Sequence, residues 1–232
     1  MKDFWQGIKN GVPIGLGYLS VSFGIGILAA GYGFSTLTAT LVSATNLTSA
    51  GQAAGLAIMA AGGTLIEMLL TQFVINLRYA LMGISLSQKL SLSFTTGHRF
   101  IAAFGITDEI FAVASARNCA VTPLYMYGLI AVSFVGWVGG TILGAAAGHL
   151  LPAQIVSAMG ITLYGMFLAI MIPPAKKSVG VLFVIFLTAG LSLLFEYCIP
   201  AVSSGFAVII CAVVASVIGA LLFPVCEQEV DV

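Results

Sequence analysis

Residues 179–195 read VGVLFVIFLTAGLSLLF. Apolar and polar residues do not alternate in this run, and no charge falls between Val179 and Phe195. About 20 such residues make a membrane-spanning helix, whereas a transmembrane β-barrel would show segments of about ten residues with alternating polarity. Stretches of the same kind recur along the chain, at about 12–34, 37–60, 62–84, 99–116, 122–148, 154–173, 178–199 and 205–225.

Composition agrees. Of 232 residues, 60% are hydrophobic and 7% are charged, and the mean hydropathy is +1.13. A soluble domain carries roughly 25% charged residues, so the fold class is an all-α polytopic membrane protein, one integral domain over residues 1–232. The N-terminal MKDFWQGIKNG leads into an apolar run too long for a signal-peptide core and lacking a cleavage site, and is read as the start of the first span. Cys119, Cys198, Cys211 and Cys226 show neither CxxC nor zinc spacing. They are read as packing residues, and no metal or cofactor is expected. Eight acidic residues balance eight basic ones without a basic cluster, which argues against nucleic acid as a partner.

Two segments are interrupted. The second holds the polar island SATNLTSAGQ, Ser43 to Gln52, and the fourth is short with Asp108 and Glu109 near its middle. Irregular backbone at membrane depth survives only where it lines a cavity or is buried in protein, so broken or re-entrant elements are expected near 43–52 and 99–116. The basic residues group as Lys2 and Lys9, then Arg78, Lys89 and Arg99, then Arg117, then Lys176 and Lys177. If every group is cytoplasmic, two segments do not cross and six spans remain with both ends inside. The tail CEQEVDV has no basic residue and fits better with about seven spans, an external C-terminus and one basic group tucked into the protein. YLSVSFGIGILAAGYGF followed by LVSATNLTS is echoed by LIAVSFVGWVGGTILGAAAG followed by IVSAMGITL. Either chance or two weakly similar halves, about 12–117 and 122–225, explain the echo. Many transporters are built from such repeats, with the substrate site between them.

Ionisable and polar groups inside apolar segments are the functional candidates. Glu67 and Arg78 end the run EMLLTQFVINLR. They share one helix face with Thr71 and Val74, about 16 Å apart along the axis, with Glu67 read as nearer the membrane centre and Arg78 at the mouth. Arg78 serves equally well as a snorkelling anchor, and Glu67 as the partner of a base on a neighbouring helix. Asn46, Thr48, Ser49 and Gln52 surround Gly51; they suit either interhelical hydrogen bonding or a half-helix N-terminus that takes a carboxylate. Thr107 has the position of an N-cap with Asp108 and Glu109 in the first turn. Two buried carboxylates require protonation, a watery cavity, or pairing with Arg78 or Arg99. Gly136, Gly140, Gly144 and Gly148 form an every-fourth-residue ladder for close helix packing, or a sliding surface. GxSxG, HExxH and Walker A motifs are all missing, so an enzyme is unsupported.

The order of AGQ at 50–52, NLRY at 76–79 and TDE at 107–109 resembles the AzlC family, also called the YgaZ or BrnF family, over roughly residues 7–225. These are the large subunits of bacterial branched-chain amino acid exporters. The resemblance implies a seven-span secondary carrier in the bacterial cytoplasmic membrane, working with a small four-span AzlD-like subunit and coupled to protons. On such a reading Asn46, Thr48, Ser49, Gln52 and Asn76 are the candidates for binding a small neutral amino acid, and Glu67, Arg78, Asp108 and Glu109 those for proton coupling or gating, with Glu67 outside the three motifs. Tyr79 stands where many members have His, and TNLTSAGQ is more polar than usual, which bears on the substrate. A channel-like conductor of small solutes and a non-transporting scaffold subunit are the rival readings.

Overall fold

The computed structural model describes residues 1–150, 168, 171–173, 175–199 and 202–223. In chain order the helices are α1 (Lys2–Gly31), α2 (Thr36–Thr45), α3 (Ser49–Ala60), α4 (Leu65–Ser87), α5 (Thr96–Phe104), α6 (Asp108–Ser115), α7 (Pro123–Leu150), α8 (Val179–Cys198) and α9 (Ser204–Leu222). Hydroxyl caps set many of the starts. Side chains of Ser35, Thr48, Thr64, Thr95, Thr107 and Ser178 each accept from the backbone N–H three residues on, satisfying donors that a helix start leaves without a partner. Two tight turns use glycine in the left-handed region, Gly33 at φ 83° after α1 and Gly62 at φ 67° after α3.

The first helix begins at Lys2, not near residue 12, because its polar start is held. Asp3 accepts from Thr122 Oγ1 at 2.6 Å and pairs with Arg117 at 3.4 Å, while Gly7 and Gly11 bring the helix onto α7. α1 and α7 run parallel at backbone contact. Gly7 meets Tyr125, Gly15 meets Gly136, and Gly26 meets Thr141 and Ala145; a methyl on Gly136 would overlap the Gly15 carbonyl. The ladder Gly136, Gly140, Gly144, Gly148 therefore packs against α1, with Gly148 beside Ala30.

Among the described residues five helices, α1, α4, α7, α8 and α9, are long and apolar enough to cross a membrane. The starts of α1 and α7 and the end of α4 share one face. Asp3 meets Thr122, Leu90 bridges Val121, and Lys89 Nζ donates to the carbonyls of Ser115 and Arg117. α1 ends at the opposite face, where α2 begins, and α3 returns there to join α4 through residues 61–64. α3 lies antiparallel to α4, with Gln72 on Gly51 and Met68 on Gly55. Thus α2 and α3 form a hairpin that enters and leaves by one face. α5 and α6 form the second, from the other face: His98 bonds Tyr127 at its start, and Ser115 meets Lys89 at its end. The unit α1–α2–α3 is repeated upside down by α4–α5–α6, within the first half of the chain. The segment expected at 154–173 falls almost wholly outside the described residues, and with it much of the proposed half-chain echo.

α9 begins beside the first turn of α4 and runs antiparallel to α8, with Phe223 against Gly180. Lys2, Lys89, Arg117 and the pair Lys176–Lys177 before α8 therefore gather on one face, the cytoplasmic one by the distribution of positive charge. α9 ends at this same face at Leu222, and the expected external C-terminus falls in residues 224–232, outside the described residues. The interruptions expected near 43–52 and 99–116 are the places where the two hairpins turn back. Cys119 and Cys198 are exposed and only Cys211 is buried, so packing does not account for the first two; Cys226 lies outside the described residues. α8 has none of its span buried, and its apolar face suits lipid.

Candidate functional site

The tips of the two hairpins meet near the middle of α1, α4 and α7. Between them is a cavity of about 290 Å3, at the small end of the roughly 300–1,000 Å3 range of small-molecule sites. Thr48 and Ser49 at the start of α3 and Thr107 and Asp108 at the start of α6 line it. The two half-helices thus present N-terminal ends, each equivalent to about half a positive charge, to one space. Arg78 reaches the tip of the second hairpin, Nη1 lying 2.8 Å from Asp108 Oδ2. Glu109, Tyr18 and Trp137 complete the polar and aromatic part of the wall.

Tyrosines tie each long helix to the hairpin of the other unit. The Tyr18 hydroxyl on α1 lies 2.5 Å from Thr107 Oγ1 and donates to Glu109 Oε2 at 2.6 Å. The Tyr79 hydroxyl on α4 donates to Thr48 Oγ1 at 3.2 Å and accepts from Arg78 Nη2 at 3.4 Å. Each cap threonine that starts a half-helix is therefore held by a tyrosine from the opposite unit. A closed ring of hydrogen bonds fixes the first hairpin to α7. Trp137 Nε1 donates to Gln52 Oε1 at 3.0 Å, Gln52 Nε2 to Ser43 Oγ at 2.5 Å, and Ser43 meets Thr141 Oγ1 at 2.7 Å. Thr141 then donates back to the Trp137 carbonyl. The Tyr18 and Trp137 rings pack edge to face, centroids 5.3 Å apart.

A sequence profile of the AzlC protein family matches residues 13–151, which include every residue lining the cavity. The chain belongs to the AzlC family. It is 34% identical over 175 residues to an uncharacterized membrane protein of Archaeoglobus fulgidus, covering 75% of this chain and 76% of that one. It is 30% identical over 182 residues to the inner membrane protein YgaZ of Escherichia coli, covering 75% and 74% respectively. No solved structure matches significantly. Membership of this family supports a role in membrane transport.

In this AzlC-family chain the predicted residues separate into three groups. Thr48, Ser49, Arg78, Asp108 and Glu109 line the cavity. Asn46 and Asn76 line a smaller one of about 130 Å3 beside it. Gln52 is fully buried with both ends of its amide engaged, so it holds the hairpin to α7 and offers nothing to a ligand. Glu67 is also elsewhere. It sits in the first turn of α4, and its Oε1 accepts from Ser203 Oγ at 2.6 Å and Gly205 N–H at 3.0 Å, which caps the start of α9. The expected depths of Glu67 and Arg78 are thus reversed. α4 starts at Leu65 and ends at Ser87, which places Glu67 at the membrane edge and Arg78 among the hairpin tips. Tyr18 and Trp137 escaped the sequence reading, since their partners lie 89 and 85 residues away; an aromatic with a polar handle, the Tyr18 hydroxyl or the Trp137 N–H, in the middle of a glycine-rich span was the available signal.

Proposed function

We propose that this chain is a secondary transporter that exports branched-chain or other small neutral amino acids across the bacterial cytoplasmic membrane, coupled to protons. The observation that carries the reading is the convergence of two half-helix N-termini, capped by Thr48 and Thr107, on one cavity with the Arg78–Asp108 pair. Such ends suit the carboxylate of an amino acid. Leu47, Ile75 and Val21 in the same wall suit an aliphatic side chain. Asp108 and Glu109 are the groups that take up and release protons, and protonation of Asp108 frees Arg78. Because the hairpins enter from opposite faces, parting one tip from its tyrosine opens the cavity to one side while the other stays closed. This is alternating access.

The partner in this reading is a small AzlD-like membrane subunit, for which the unburied apolar faces of α4 and α8 leave room. Proteoliposomes holding the chain, with and without such a subunit, and loaded with labelled leucine, isoleucine and valine, test the proposal at two external pH values. Saturable efflux that accelerates with an inward proton gradient is expected. Non-saturating, pH-indifferent flux would instead favour a channel, and silence without the subunit a scaffold role.

A further inference from the structure

A cleft of about 330 Å3 separates α4 from α5. The α4 side carries Ala80, Gly83, Ile84 and Ser87, the i, i+3, i+4 and i+7 positions of one helix face, and Arg99, Ala102 and Ala103 repeat the i, i+3, i+4 spacing on α5. Small facing residues let helices approach closely, yet these two do not close. A methyl on Gly83 would meet nothing beyond its own helix nearer than Ile106 Cδ1, at 3.9 Å. Leu86 and Ala102 in the wall are buried, whereas Ala80, Ile84 and Ala103 are exposed, so the cleft opens sideways from the crossing helix α4. Water does not suit it. Ser87 Oγ already donates to the Ile84 carbonyl, and apart from Arg99 the other described side chains of the wall are apolar.

Charge supplies a second, independent observation. Arg99 is exposed near the start of α5, at the basic face, and among the described residues its guanidinium has no ion pair, hydrogen bond or ring contact. The neighbouring cations are engaged: Arg78 and Arg117 pair with Asp108 and Asp3, and Lys89 Nζ donates to two carbonyls. The stretch that builds both walls holds Arg78, Lys89 and Arg99 but no acidic residue between Glu67 and Asp108. The N-terminal end of α5 adds its own partial positive charge beside Arg99. An apolar cleft at membrane depth thus leads to an unpaired cation at the membrane edge.

We propose that this cleft binds an anionic phospholipid of the cytoplasmic leaflet, with one acyl chain lying along Ala80, Gly83 and Ala102 and the phosphate on Arg99. Basic sites between helices at the cytoplasmic side suit such headgroups, and the Arg99 stem can follow the apolar wall while its charged end reaches the interface. A zwitterionic lipid would fill the same space but would bring a positive group to a rim that is already basic. A helix of a partner protein is too wide. Being about 10 Å across, it would fill 330 Å3 with less than one turn. The site is independent of what the chain transports.

Thermal unfolding of the purified full chain in detergent tests the site, with dioleoylphosphatidylglycerol compared against dioleoylphosphatidylcholine, which has the same acyl chains. Phosphatidylglycerol should raise the midpoint by at least about 3 °C more than phosphatidylcholine, and salt should shrink the difference. Arg99→Gln should erase it, and Arg99→Lys, which keeps the charge, should retain most of it. Gly83→Leu fills the cleft without touching Arg99 and replaces a residue that weakens a helix, so the chain should fold and also lose the difference. Equal stabilisation by the two lipids, or a preference that survives Arg99→Gln or Gly83→Leu, overturns the site. A Gly83→Leu chain that changes its oligomeric state and keeps the preference would give the cleft to a second copy and overturn it as well.

Discussion

Arg78 Nη1 stands 2.8 Å from Asp108 Oδ2, tying a crossing helix to the tip of a hairpin that enters from the basic face. The other ion pair among the described residues, Arg117 with Asp3, lies at that face, where α1 and α7 start. In the proton-coupled reading proposed above, the first pair is where a proton acts on the cavity. Its side chains are 45% and 38% exposed, so as a structural contact it is worth at most about 1 kcal/mol. Asp108→Asn is expected to leave the melting temperature within roughly 4 °C and to remove the pH dependence of efflux in proteoliposomes. Unchanged pH-driven efflux would take Asp108 out of the mechanism.

Gln52 gives the contrasting expectation. Replacing it with Leu leaves the buried Trp137 N–H without its acceptor, which costs about 1–3 kcal/mol, while Ser43 loses Gln52 and keeps Thr141. The variant should melt several degrees lower in detergent. A stable Gln52→Leu protein with impaired transport would show that the amide serves the ligand instead of the hairpin.

On α7, two glycines three residues apart predict opposite outcomes. A methyl at Gly136 overlaps the Gly15 backbone, whereas at Gly139 it meets nothing within 4 Å. Gly136→Ala should destabilise by about 1–3 kcal/mol through overpacking, and Gly139→Ala should be neutral or slightly stabilising, by up to about 1 kcal/mol. Equal effects in unfolding experiments would contradict the close parallel seam.

Glu67 is expected to matter for stability alone. Glu67→Gln keeps an acceptor for Ser203 and Gly205 but loses the charge at the start of α9, a loss of about 0.3–1 kcal/mol. Efflux and its pH profile should be retained. A shifted pH profile would return Glu67 to the coupling machinery.

The re-entrant topology is open to labelling. Ala61 lies in the exposed link between α3 and α4, and native Cys119 is exposed beside Arg117 on the basic face. In intact cells an Ala61→Cys chain whose native cysteines have been replaced should react with a membrane-impermeant maleimide. Native Cys119 should react only after the membrane is opened. Protection of position 61 would mean that α2 and α3 cross the membrane after all.

The sequence by itself determined the solvent and the element type, because runs such as Val179 to Phe195 can be satisfied only as helices in lipid. It also marked both interruptions and the Thr107 cap, since caps and helix breaks are written in neighbouring residues. It singled out Thr48, Ser49, Arg78, Asp108 and Glu109 as polar or charged groups within apolar segments, although it set Arg78 at the mouth and not among the hairpin tips. Tertiary structure decided the rest. Whether a broken segment crosses or turns back depends on where its second limb packs, and that is set by contacts such as Gln72 on Gly51 and Lys89 on Ser115. The roles of Gln52 and Glu67 were decided by Trp137 and Gly205, which lie 85 and 138 residues away along the chain. Local sequence encodes the need of a buried polar group for a partner, but only the packed fold selects which partner meets it.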